Sequence, residues 1–84
     1  MKVNRVICIY NNKSEKLIEE ISVDHIGLTT LKKIFTPHED DSEMYSVYHI
    51  EENEMNLINQ YFNNPIKSDF KTYDYWLECF NSEN

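Results

Sequence analysis

Between Tyr73 and Phe80 the chain reads as a strand, and the two faces of that strand constrain the rest of the fold. Successive side chains of an extended strand point to opposite faces. Tyr73, Tyr75, Leu77 and Cys79 therefore share one side, and Asp74, Trp76, Glu78 and Phe80 the other. The first set suits a core. The second mixes carboxylates with two large aromatics, which suits a sheet face left open to solvent or to a partner.

Five further elements precede that strand. Val3 to Tyr10 is rich in β-branched residues and reads as a strand. Asn11-Asn12-Lys13-Ser14 reads as a turn, because Asn tolerates positive φ and hydrogen-bonds its own backbone. Leu17 to Val23 alternates Leu17, Glu19, Ile21 and Val23 against Ile18, Glu20 and Ser22, which completes a hairpin. Leu28, Leu31, Ile34 and Phe35 recur at helical spacing, and Thr36-Pro37 ends that helix. His38-Glu39-Asp40-Asp41-Ser42-Glu43 is an acidic loop, and Met44 to Ile50 is β-prone.

From Glu51 a helical stripe of Met55, Ile58 and Phe62 takes over, and Asn63-Asn64-Pro65 closes it. Glu51, Glu52 and Glu54 crowd its first turn, where carboxylates complement the helix dipole. Asn81 to Asn84 reads as a frayed tail. The order is ββαβαβ: an α+β fold, a small mostly antiparallel sheet of about four strands with two helices, spanning residues 1–84 as one domain. The second helix is short enough to lie across one sheet face.

If Tyr45 and Val47 face inward in the third strand, Ser46 and Tyr48 face outward. In the second strand Ile18, Glu20 and Ser22 share that outward face. The open face then carries Glu20, Tyr48, Asp74, Trp76 and Glu78, aromatic anchors among carboxylates. Asp40 and Asp41 in the acidic loop add to what a basic partner would meet. The alternative facing puts Trp76 in the core.

Charge points to the same class of partner. With 15 Asp and Glu against 8 Lys and Arg, the net charge is −7. Such a surface repels phosphate backbones and anionic lipid and speeds the encounter with basic proteins. Acidity also serves solubility alone. The basic residues are scattered and form no nucleic-acid stripe. No signal-peptide pattern opens the chain, and no apolar run approaches the roughly 20 residues that span a bilayer. A cytoplasmic protein is expected, with no nucleic acid and no membrane as partner.

Catalytic constellations are scarce. His25, His38 and His49 lack ligand spacing, and His38-Glu39-Asp40-Asp41 lacks the glycine and spaced oxygens of a calcium loop. No metal and no cofactor is expected. The serines have no nucleophile-elbow context, and Cys8 with His49 is a dyad by residue type alone. Cys8 and Cys79 lie in apolar runs and read as buried reduced thiols, with pairing open if the terminal strands are neighbours. The chain reads as a binding protein rather than an enzyme.

Three stretches carry a likeness to a known group: Tyr10-Asn11-Asn12-Lys13-Ser14-Glu15 after the opening strand, Tyr45-Ser46-Val47 leading into a helix that ends Gln60-Tyr61-Phe62, and the closing Tyr73-Asp74-Tyr75-Trp76. In these and in its order of elements the chain resembles bacterial toxin-immunity proteins. The likeness is to the cloacin and colicin-type ribonuclease immunity family and to immunity proteins against contact-dependent inhibition toxins. The resemblance implies an antiparallel sheet with helical cover, whose acidic surface binds a basic cognate toxin domain and blocks it. The second helix is longer and more apolar than in that family, and the first hairpin less acidic, so the role carries over and no individual contact does. Two other readings share the acidity: a nucleic-acid mimic, and a general protein-interaction module that self-associates weakly through the sheet face. The carboxylates at 39–43 and 51–54 are too locally clustered to trace a phosphate backbone.

Overall fold

The computed structural model describes residues 3–81. The elements are β1 (Val3–Asn11), β2 (Leu17–Ser22), α1 (Leu28–Ile34), β3 (Tyr48–His49), α2 (Glu52–Ile58), a 3-10 turn at Asn59–Tyr61, and β4 (Tyr73–Asn81). They form an α+β fold with one four-stranded antiparallel sheet in the order β2-β1-β4-β3. Asn81 completes β4, and the remainder of the expected tail lies outside the described residues.

The hairpin turns as its asparagines dictate, with one difference. The Asn11 side-chain oxygen accepts from the Lys13 and Ser14 amides, both at 2.9 Å. The left-handed residue, however, is Glu15, at φ 61°, rather than an asparagine. It brings its amide back to the Asn11 carbonyl at 2.7 Å.

One face of the sheet is covered. Ile7 and Ile9 of β1, Tyr75 and Leu77 of β4 and Tyr48 of β3 meet Leu31 of α1 and Met55 and Ile58 of α2 in a single core. Val23, Ile26, Phe35, Met44 and Ile50 from the connections join them. Burying each such side chain contributes about 1.5–3 kcal/mol, so packing of these stripes, more than propensity, holds two seven-residue helices in place. The first turn of α2 is also capped: the Glu54 carboxylate accepts from the Glu51 amide at 3.0 Å.

The third strand departs from the expectation. It holds only Tyr48 and His49, and its facing is the reverse of the expected one. Tyr45 and Val47 are exposed, while Tyr48 is buried opposite Leu77. The cause is Asp41. Its carboxylate accepts the Tyr45 amide at 2.8 Å, the Ser46 amide at 3.0 Å and the Tyr48 hydroxyl at 2.6 Å. Met44 adopts φ 55° to let the chain wrap around that carboxylate, and its own side chain is buried. Residues 44–47 are thus a turn built on Asp41 and not a strand.

Cys8 and Cys79 are free thiols. Their strands are neighbours, but Cys8 stands opposite Trp76 and Cys79 opposite Arg5, on opposite faces of the sheet, so they do not pair. No helix among the described residues is long and apolar enough to cross a membrane.

Candidate functional site

The register writes out the uncovered face rung by rung. Glu20 of β2 stands opposite Cys8 of β1, Cys8 opposite Trp76 of β4, and Trp76 opposite His49 of β3. One rung thus crosses all four strands as Glu20, Cys8, Trp76, His49. On one side of it lies the rung of Leu17, Tyr10 and Asp74, and on the other that of Ser22, Val6 and Glu78. Asn4 and Phe80 follow beyond. A β-bulge between Ile9 and Tyr10 brings Leu17 onto this face and moves Ile18 off it, contrary to the plain alternation expected for β2.

Trp76 is half-buried at the centre of this face. The His49 ring lies 4.6 Å from it, centroid to centroid, tilted by 42°. No helix covers it, since both helices contribute to the core on the other side. Beside this pair a groove of about 380 Å³ is lined by His49, Glu51, Glu52, Phe70 and Asp74. The carboxylates of Asp74 and Glu78 flank Trp76 two residues away in each direction along the same strand face.

Cys8 is fully buried although it lies on the open face. The Tyr10 hydroxyl donates to the Glu78 carboxylate at 2.7 Å. Tyr10 belongs to the rung on one side of Cys8 and Glu78 to the rung on the other, so this bond roofs the thiol. Burial first, and then the Glu78 and Glu20 carboxylates, push the thiol up to about 12. The Tyr10 hydroxyl is likewise pushed above its ordinary value, chiefly by its bond to Glu78. At neutral pH Cys8 is a protonated thiol, which is a poor nucleophile. His49 lies two strands away with Trp76 between, about 10 Å at ordinary strand spacing. The two do not form a dyad.

Of the residues expected on the binding face, the structure brings Glu20, Asp74, Trp76 and Glu78 together. Tyr48 and Asp41 are not among them. Tyr48 is buried beneath the sheet, stacked on His38 at 4.6 Å, and Asp41 is the buried acceptor of the turn described above. Asp40 is exposed in the loop between α1 and β3, off the sheet. The sequence reading missed His49, Glu51 and Glu52. His49 follows from Tyr48 by alternation once Tyr48 is known to face inward. Among the described residues, no group of three or more His, Cys, Asp or Glu side chains is placed to hold a metal ion.

Residues 4–78 match a family described as a domain of unknown function (DUF7683). No curated protein matches the chain, and no solved structure does.

Proposed function

The chain belongs to the DUF7683 family, and we propose that it is a non-catalytic cytoplasmic binding protein that docks a basic protein partner on its open sheet face. The observation that carries this reading is the rung of Glu20, Cys8, Trp76 and His49, with Asp74 and Glu78 beside the Trp. A central aromatic ring offers contact area at low entropic cost, and carboxylates around it select Lys and Arg and speed encounter. The net charge of −7 extends that selection to the whole molecule. Neutralising a basic toxin domain, as an immunity protein does, is the form of this function that the charge and the size support best. The partner's basic active-site surface would be covered by the acidic face.

The test compares the wild-type chain with Trp76→Ala and Glu78→Lys as baits in lysate of the native host. A protein of high isoelectric point retained by the wild type and lost by both variants is expected. Co-expression of the wild-type chain is then expected to restore growth to cells poisoned by that protein. Retention that is equal across the three baits contradicts the docking face. Docking without rescue contradicts the neutralising role and leaves an interaction module.

A further inference from the structure

We propose that the free edge of β2 is a second docking site, which takes an extended basic segment of a protein partner as an additional strand. β2 lies at one end of the strand order, and among the described residues no strand lies beyond it. The Val23 amide donates to the Arg5 carbonyl at 2.9 Å, and from there the rungs run without a break to Ile9 and Glu19. Bonded and non-bonded pairs alternate along an antiparallel ladder. Ile21 and Glu19 are therefore the bonded members, and Glu20 and Ser22 direct their N–H and C=O groups away from β1, off the sheet.

A strand bonded to those groups lays its side chains on two unlike surfaces. On the helix-covered side, a recess of about 350 Å³ runs along the edge, its floor made by Ile9, Ile18, Ile21 and Ile66 and its rim carrying Glu19 and Lys67. On the open side stands Glu20, beside the roofed Cys8. Leu17 and Ile18 remain 47% and 54% exposed at the start of the strand. An added strand that alternates apolar with basic residues matches both sides at once.

Glu20 decides the occupant. A second copy paired antiparallel with Glu20 opposite Glu20 sets like charges against each other on the open side, which is unfavourable. A Lys or Arg opposite Glu20 reverses the sign. The site is independent of Trp76, which lies two strands away.

The experiment uses an eight-residue peptide alternating Val and Lys, and two N-methylated forms of it, one for each phase of alternate backbone nitrogens. The unmodified peptide is expected to bind and to slow amide hydrogen exchange at Glu20 and Ser22 at least tenfold. One methylation phase removes the donors that face β2 and is expected to weaken binding at least tenfold, and the other phase is expected to bind like the parent. Trp76→Ala is expected to leave all three unchanged, which separates this site from the sheet-face reading. Absence of binding, equal binding of both methylated forms, or unchanged exchange at Glu20 and Ser22 overturns the proposal. So does a dimer of the chain that protects those amides without peptide.

Discussion

Asp41 shows how much one side chain can decide. It stands in an acidic loop, where a solvated carboxylate is the ordinary outcome, yet it is buried and takes three hydrogen bonds from the next seven residues of chain. The Tyr48 hydroxyl first, and then the Ser46 and Tyr45 amides, hold its carboxyl down to about 2, from an ordinary 3.8. A folded-state value below the unfolded one means that the charged form stabilises the fold. That stabilisation is complete above about pH 4 and is lost as pH falls towards 2. Thermal unfolding between pH 5 and pH 2 is expected to show it: Asp41→Asn flattens the acid-side loss of melting temperature, and an unchanged slope contradicts the assignment.

The Tyr48 hydroxyl also accepts from the His38 amide at 3.1 Å, so Tyr48→Phe takes one of three donors from the buried Asp41 carboxylate, which keeps its two amides, and takes the acceptor from the His38 amide. A cost of about 1–3 kcal/mol is expected from denaturant unfolding, against near-neutrality if the hydroxyl is idle. Cys8, roofed and protonated, is expected to alkylate only on unfolding. Rapid modification in native buffer would show that the Tyr10–Glu78 bridge opens.

At the scale of the element, β4 and β3 make the instructive contrast. β4 is nine residues paired with β1 along its whole length without a bulge. Its facing was therefore legible: Tyr75 and Leu77 are 2% and 1% exposed, and Trp76 lies on the other side. β3 was not legible, because Tyr45-Ser46-Val47-Tyr48 looks like a strand, while a hydrogen-bond acceptor upstream in sequence converts its first half into a turn. Propensity reads residue types, and the Asp41 bonds are a local side-chain-to-backbone arrangement that competes with the strand. For the same reason Tyr48 was placed on the binding face and His49 was not. The bulge that turns Ile18 aside is equally invisible to alternation.

The facing of β4 is checked by a pair of substitutions. Tyr75→Ala empties a core position whose hydroxyl also accepts the Asp69 amide, and is expected to cost about 3–5 kcal/mol. Trp76→Ala is expected to cost markedly less stability, since the ring has no core behind it. The reverse order of stabilities contradicts the facing.

At the scale of the whole molecule, the fold divides labour between two faces. One face is spent on a core drawn from all four strands and both helices. The other carries Trp76 and His49 among Glu20, Asp74 and Glu78, with no helix or strand over it among the described residues. In a chain of net charge −7, the proposed role of such a face is to attract a basic protein at long range and hold it by contact at short range. The two contributions are separable. Charge acts on association and is screened within about 4–5 Å at 0.5 M salt, whereas the aromatic anchor acts on dissociation.

The most direct test of the account is therefore the association and dissociation kinetics of the retained basic protein with the wild type, Trp76→Ala and a double Asp74→Lys, Glu78→Lys variant, from about 0.05 to 0.5 M salt. The account predicts that wild-type association slows at least tenfold over that range. It also predicts that the double variant starts slow and depends little on salt, and that Trp76→Ala speeds dissociation about thirtyfold, or about 2 kcal/mol. Association indifferent to salt, together with unchanged dissociation of Trp76→Ala, would contradict it.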